Sequence, residues 1–201
     1  MIQPLMNIET HPWLPFVPIN AKIMFLGTFP PKANKWSMDF YYPNKINDFW
    51  RIIGNIFHGD YEFFFNPATN CFNKELIQQF LCSKCIALGD VGYKIIRHKD
   101  NASDKFLEIV TPINLIQIIE NTPTCNTIVS TGQKAAETIA KITNTKIPKI
   151  GEYITYKTIS NRTIYIYRMP STSRAYPLSI EKKAQFYKDM FSAIGILDNQ
   201  Y

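Results

Sequence analysis

Residues 22–51 read KIMFLGTFPPKANKWSMDFYYPNKINDFWR, and this stretch decides the fold. A short apolar run over residues 23–26 ends at Gly27, and a helical pattern begins at about Asp48. The loop between them is rich in aromatic and amide side chains and is too apolar for an ordinary solvated linker. A buried strand that ends in such a loop is typical of the edge where open α/β sheets bind ligands. The stretch therefore predicts a site for a planar ligand.

Apolar runs of the same kind recur along the chain, each short, β-branched or aromatic, and bounded by polar residues or glycine. They predict buried strands at residues 23–26, 85–88, 127–130 and 163–167. Helical periodicity in the gaps predicts helices at residues 48–57, 74–81, 113–120, 133–142 and 179–194. Residues 153–159 should form a hairpin with the last strand. Strands alternating with helices predict a three-layer α/β/α sandwich around a central, mainly parallel four-stranded sheet.

The chain has 201 residues, enough for one domain with a full core, so we predict a single domain over residues 1–201. Residues 1–20 are punctuated by proline and predict an extended arm docked on the body. The docking side chains are Trp13, Leu14, Phe16 and Val17. The net charge of +6 favours a polyanionic partner such as nucleic acid, and a plain basic soluble protein fits it equally well.

The N-terminus lacks the basic start and apolar core of a signal peptide, and no apolar run approaches the length of a membrane span. We therefore expect a cytoplasmic protein, nucleoid-associated in a prokaryote, with reduced cysteines and no membrane partner. Cys82 and Cys85 form a CxxC that could begin a metal site, but no second pair or nearby histidine accompanies it. We predict neither a metal nor a cofactor.

Four predicted strand ends should meet at one edge of the sheet and line a common crevice. Their loops begin at Gly27, Gly89-Asp90, Thr131-Gly132 and Met169-Pro170. Asp90 could accept a hydrogen bond from a ligand or cap the next element. Phe29 and Tyr42 could stack on a planar ligand, although buried aromatic rings more often belong to a core.

Two of these loops could hold phosphate. Gly132, Gln133 and Lys134 lie between a strand and a helix, where backbone N–H groups and an ammonium suit an anion; a plain strand–helix turn also fits. The loop after residue 169 carries three hydroxyls and one guanidinium between two prolines. Such a set can hold a DNA backbone and probe a groove, or form an ordinary surface turn. Its residues are Ser171, Thr172, Ser173 and Arg174.

Asn47 precedes a predicted helix, where asparagine is most often a cap; its amide could instead fix a water or a ligand carbonyl. The three histidines are scattered, so no Ser-His-Asp or Cys-His pairing is predicted. Asp48 fits the first turn of the helix, where the helix dipole favours a carboxylate. The acids close to these loops are Asp39, Asp48 and Asp90.

Taken together, these segments resemble the uracil-DNA glycosylase superfamily, most closely its hypoxanthine-DNA glycosylase branch and then its mismatch-specific uracil-DNA glycosylases. The resemblance runs in order from about Pro12 to Phe186. It is carried by GTFP at residues 27–30, YYPNKINDFW at 41–50, ALGDV at 87–91, GQKAA at 132–136 and PSTSRA at 170–175.

The resemblance implies a monofunctional DNA glycosylase that flips a deaminated base, uracil or hypoxanthine, out of double-stranded DNA and hydrolyses its N-glycosidic bond in base excision repair. It implies that Tyr42 stacks on the flipped base and that Asn47 helps to place the attacking water. The backbone of Thr28 and Phe29 would face the carbonyl edge of the base, which Asp90 would also contact. Ser171 to Arg174 would press into the minor groove, and Gly132 to Lys134 would hold a phosphate. We expect a monomer.

Some positions depart from the family pattern. Pro31 stands where a glycine is common, Gly89 where a tryptophan is common, and Met169 where some branches carry histidine. The first motif holds no aspartate. Two alternatives therefore stay open: a catalytically weak or inactive glycosylase-like domain that binds DNA or a nucleotide, and an α/β enzyme acting on a small molecule.

Overall fold

The computed structural model describes residues 7–98 and 104–197. Its strands are β1 (Ile8–Thr10), β2 (Ile23–Gly27), β3 (Phe65–Asn66), β4 (Cys71–Phe72), β5 (Ile86–Asp90), β6 (Gly92–Arg97), β7 (Leu107–Pro112), β8 (Thr127–Ser130), β9 (Tyr153–Lys157) and β10 (Thr163–Arg168). Its helices are α1 (Phe49–His58), α2 (Lys74–Ser83), α3 (Leu115–Asn121), α4 (Gln133–Thr143) and α5 (Ile180–Ala193).

The central sheet has the strand order β5-β2-β8-β10-β9. The first four strands in this order are parallel, and they correspond to the buried strands that the sequence predicts. The predicted total of four strands was too low, because β9 pairs antiparallel with β10 and adds a fifth. The turn between them contains Asn161 at φ 62°, a left-handed conformation that asparagine tolerates. This turn folds the predicted hairpin back into the same sheet.

The two faces of the central sheet are covered by different helices. Ile23 and Phe25 of β2 lie in one core with α1, α2 and α5, whereas Met24 and Leu26 lie in a second core with α3 and α4. Successive side chains of a strand point to opposite faces, so an uninterrupted apolar run is suited to burial on both sides. The resulting three layers are those that the sequence predicts.

A second, antiparallel sheet with the order β1-β6-β7 was not predicted. Its strands carry no apolar run, and the register between β6 and β7 shifts near Lys94, so the alternation of buried and exposed side chains is irregular. Such strands lack the periodic pattern by which a strand is recognised in a sequence.

The part of the N-terminal arm that the structure describes begins at residue 7, and residues 1–6 of the predicted arm lie outside the described residues. β1 pairs with β6, and the backbone of Phe16 exchanges two hydrogen bonds with Leu88 of β5. The prediction that the Leu14 side chain docks was wrong, since 84% of it is exposed. Leu14 contributes its carbonyl instead, which accepts a hydrogen bond of 3.0 Å from the Tyr41 hydroxyl.

The helix ends follow local chemistry. Ser179 is the N-cap of α5, as a serine at a helix start predicts, and its side chain accepts from the backbone N–H of Lys182. α1 ends at His58 and is capped by Gly59, whose φ of 70° is the left-handed conformation that glycine adopts without strain. Within residues 7–98 and 104–197, no helix combines the length and the apolar character needed to cross a bilayer.

Candidate functional site

A cleft of about 650 Å³ opens at the carboxyl ends of β2, β5, β8 and β10. The predicted convergence of strand-end loops is therefore present. With the exception of Lys134, the predicted site residues all line this cleft: Thr28, Phe29, Tyr42, Asn47, Asp90, Gly132, Gln133, Ser171, Thr172, Ser173 and Arg174. Volumes of this size are usual for small-molecule and cofactor sites.

Tyr42 forms a rigid aromatic wall of the cleft. Its ring stacks on Phe49 with the centroids 3.9 Å apart and the planes 13° from parallel. Its hydroxyl lies 2.9 Å from the Oγ1 of Thr131, the first residue after β8. Burial, reinforced by the nearby carboxylate of Asp90, raises the pKa of Tyr42 well above its usual range, so the phenol is neutral. Its φ of 52° is unusual for a tyrosine and places the ring over the start of α1.

Asn47 lies on the cleft immediately before α1. Its Oδ1 accepts a hydrogen bond of 2.9 Å from the backbone N–H of Phe49, and its own N–H donates to the carbonyl of Asn44. Asp48 occupies the N-cap position but makes no capping hydrogen bond with its side chain. The bond from Phe49 fixes the orientation of the Asn47 amide.

The carboxylate of Asp48 does not lie in the first turn of the helix, as predicted, but in a buried ion pair. It accepts from the Nζ of Lys183 at 2.9 Å and from the Nε of Arg174 at 3.3 Å. Lys183 also donates to the carbonyl of Ser173, and the Asp48 N–H donates to the carbonyl of Thr172. These bonds tie the loop after β10 to the starts of α1 and α5.

The loop after β10 is further braced by its own hydroxyls. The Oγ of Ser171 accepts from the N–H of Ser173, whose Oγ in turn accepts from the N–H of Ala175. Thr172 is buried, whereas 53% of the Arg174 side chain is exposed. The loop therefore presents a guanidinium to solvent from a fixed backbone.

In the turn between β8 and α4, which the sequence predicts to hold a phosphate, the side chains of Gln133 and Lys134 are bonded to other parts of the protein. The Oε1 of Gln133 accepts from Arg168, and its amide nitrogen donates to Glu137. The Nζ of Lys134 donates to the carbonyl of Leu107 at 2.6 Å, which anchors the start of β7. The phosphate-binding role of this turn stays a prediction.

The sequence predicts no role for His11, one of three scattered histidines, but the structure places its Nε2 2.9 Å from the Oδ2 of Asp90. The side chains of both residues are more than nine-tenths buried. Burial raises the pKa of Asp90, and the hydrogen bond and charge of His11 oppose that rise. A side chain on Gly27 would bring a Cβ to 2.3 Å from Asp90 Oδ1, so this approach requires glycine. The pair is 79 residues apart in sequence and leaves no local signal.

Asp104 is a second carboxylate of the cleft that sequence reasoning missed. It lies in a single 3-10 turn (Asp104–Phe106) before β7, and its Oδ2 accepts a hydrogen bond of 2.8 Å from the Oγ1 of Thr28. Burial raises the pKa of Asp104, repulsion from Asp90 adds to the rise, and Thr28 and Lys134 oppose it. Finding Asp104 would have required the β6–β7 pairing.

In the part of the chain that the structure describes, no three histidine, cysteine, aspartate or glutamate side chains are grouped so that they could hold a metal ion. Cys82 and Cys85 are free thiols, with Cys82 exposed at the end of α2.

No protein-family model matches the chain, and no curated protein matches it. Its fold is similar to the solution NMR structure of a protein from Methanosarcina acetivorans described as a "putative Uracil DNA glycosylase". The similarity covers 94% of this chain and 99% of that chain, with a TM-score of 0.59 and 18% sequence identity. At this identity the likeness concerns the fold and not the activity. The chain therefore shares the α/β fold of that structure.

Proposed function

We propose that this protein is a DNA glycosylase that removes deaminated bases, uracil or hypoxanthine, from DNA by hydrolysis of the N-glycosidic bond. The observation that carries the proposal is the cleft, where a stacked tyrosine, an oriented amide and a braced Ser-Thr-Ser-Arg loop meet in a glycosylase-like fold. The net charge of +6 suits a polyanionic partner.

The cleft has the parts that holding a flipped base requires. Tyr42 is supported from behind by Phe49 and offers a neutral ring for stacking. Thr28 and Asp90 supply polar atoms at the floor, where the edge of a base would lie. Flipping a base costs a few kcal/mol, is cheapest for a mispaired base, and is offset by such stacking and edge hydrogen bonds.

Cleavage builds positive charge on the sugar and negative charge on the leaving base, so polar groups placed in advance can lower the barrier. Asn47 is a weak base, and its role is to orient the attacking water through an amide that Phe49 holds still. Arg174 and the hydroxyls beside it contact the DNA backbone and enter the minor groove, which keeps the duplex in place while the base is out of the stack.

Purified protein is expected to convert duplexes that contain uracil or hypoxanthine into duplexes with an abasic site. The measurement is strand cleavage by hot alkali after incubation, over a panel of uracil, hypoxanthine, xanthine and thymine mismatches, with undamaged duplex as the control. Salt-sensitive DNA binding without abasic product on the whole panel would contradict the proposal and indicate a binding domain. Absence of DNA binding at low salt would indicate a small-molecule enzyme.

Tyr42→Ala is expected to weaken binding to a damaged duplex by about 1–3 kcal/mol, or about 5- to 150-fold, because the stacking surface is lost. Tyr42→Phe is the matched variant: it keeps the ring and loses the bond to Thr131, for a cost of about 1 kcal/mol in folding stability. Single-turnover rates at varied protein concentration separate binding from cleavage. Equal losses in the two variants would show that the hydroxyl matters and the stack does not.

A further inference from the structure

Asp104 lies where three strand ends meet. Its Oδ2 bonds to Thr28, the first residue after β2. A methyl group placed on Gly132, after β8, would lie 3.8 Å from that oxygen and 4.0 Å from the Oγ of Ser171, after β10. The carboxylate therefore lies beside Thr28 on one side and beside the loops that follow β8 and β10 on the other.

On the proposed function, the sugar of a flipped nucleotide would lie at this position. The base edge would face Thr28, and the DNA backbone would run past Gly132 and Ser171 with its phosphates on the side away from Asp104. The deoxyribose joins the base to the backbone, so it must lie between those two sets of contacts. Asp104 is the acid that lies between them.

The charge of Asp104 has the sign that the reaction needs at the sugar and the wrong sign for phosphate. A carboxylate beside a phosphate would repel it, whereas a carboxylate beside C1′ stabilises the positive charge that develops there. Among the described residues, no ion pair joins Asp104 to a lysine or an arginine, and the charge of Lys134, whose Nζ donates to Leu107, only partly offsets that of the carboxylate.

The carboxylates of the other acids near the cleft are already bonded to other side chains. Asp90 bonds to His11 and is pressed against Gly27. Asp48 is paired with Lys183 and Arg174. Asp39 accepts from the indole of Trp13 and does not line the cleft.

Asp104 is also held in place. Lys134 reaches over from α4 to donate to the carbonyl of Leu107, which fixes the segment that carries Asp104. Thr28 orients the carboxylate itself. Positioning of this kind is what a general base needs before its basicity matters.

We infer that Asp104 is a catalytic residue of this cleft, the base that receives a proton from the attacking water; the inference rests on the proposed function. The water oxygen forms a bond to C1′, and one water proton passes to the Asp104 carboxylate. The electron pair of the C1′–N bond leaves with the base. The base then takes up a proton, and Asp104 releases its own, so that the products are an abasic sugar and the neutral base.

A base of this kind makes the reaction depend on pH. Burial and the neighbouring Asp90 raise the pKa of Asp104, and a higher pKa makes its ionised form a stronger base. Only the ionised form can accept the proton, so the rate should rise with pH through the pKa of Asp104. The charged or titratable groups that act on this carboxylate are Asp90, with His11 behind it, and Lys134.

The test is Asp104→Asn in the full chain, with Glu108→Gln on the same β6–β7 hairpin as the matched loss of one negative charge outside the cleft. The readouts are the single-turnover rate from pH 4 to 9 and the affinity for an uncleavable 2′-fluoro duplex. We expect Asp104→Asn to slow base release by about 100-fold or more, to abolish the acid limb of the pH profile, and to keep the affinity within about threefold. Glu108→Gln should match the wild type.

Asp104→Glu keeps the charge, moves it by one methylene, and provides a second variant if Asp104→Asn does not fold. It should retain the acid limb at a reduced rate. A wild-type rate in Asp104→Asn, or loss of the acid limb in Asp104→Glu, would overturn the inference and leave the glycosylase assignment standing. A slower rate in Asp104→Asn with an unchanged pH profile would also overturn the inference. Absence of abasic product from the wild type on every duplex overturns the proposed function and the inference together.

Discussion

Asn47→Ala is expected to slow base release by about 100-fold, because a misplaced water costs a reaction of this kind on that order. The side chain lies on the cleft and is oriented by the bond from Phe49, so its removal takes away both the amide and the fixed geometry before α1. The readout is the single-turnover rate on duplexes containing uracil or hypoxanthine, with binding to undamaged DNA measured in parallel. DNA affinity should change little.

Asn47→Asp separates the structural role of the side chain, its hydrogen bond from Phe49, from its proposed role in orienting the water. It keeps an oxygen that can accept from Phe49 and should hold the folding stability, whereas Asn47→Ala loses that hydrogen bond and should lower the free energy of unfolding by about 0.5–1.5 kcal/mol. Cleavage at the wild-type rate in Asn47→Ala would remove this residue from the mechanism and leave the chemistry to Asp104. An activity loss that tracks the fraction of unfolded protein would reduce Asn47 to a structural role.

Lys183→Ala is expected to lower the free energy of unfolding by about 3 kcal/mol, since the buried Asp48 carboxylate loses its buried partner and keeps only the half-exposed Arg174. Lys183 is 1% exposed and is bonded to the Asp48 carboxylate and the Ser173 carbonyl. Urea denaturation followed by circular dichroism gives the value. The neighbouring Lys182→Ala is the matched control, and it should stay within about 0.5 kcal/mol because Lys182 is exposed on the same helix.

A double-mutant cycle makes the Lys183 prediction sharper. Asp48→Asn combined with Lys183→Met should lower the free energy of unfolding by less than the sum of the two single changes, because the double change removes both charges of the pair at once. Strictly additive costs would show that the two side chains do not stabilise each other. The loop after β10 depends on the same bonds, so Lys183→Met should also weaken damaged-duplex binding through Ser173 and Arg174.

The central sheet could be predicted because its signal is local. The runs that became β2, β5 and β8 are mainly apolar and are buried along their whole length, and the run that became β10 is rich in β-branched and aromatic residues. The cleft followed from them, since parallel strands place their carboxyl ends at one edge. Tyr42 and Asn47 could be singled out because they lie close in sequence to the first of these ends.

The second sheet and the N-terminal contacts could not be predicted in the same way. β6 and β7 alternate irregularly around a shift in register, so their pairing depends on the body against which they lie. Leu14 illustrates the opposite error: an apolar side chain in an apolar arm is exposed, because the arm is held by backbone bonds of Phe16 and not by that side chain.

The sequence by itself determined the layers of this protein and the edge at which a ligand would bind, because apolar periodicity and strand–helix alternation act over a few residues. The tertiary structure alone decided which charges meet there. His11 reaches Asp90 across 79 residues, Thr28 reaches Asp104 across 76, and Asp48 reaches Lys183 across 135. A buried polar pair is stabilised by its partner and not by its neighbours in the chain, so it has no period or spacing to be read before the chain is folded.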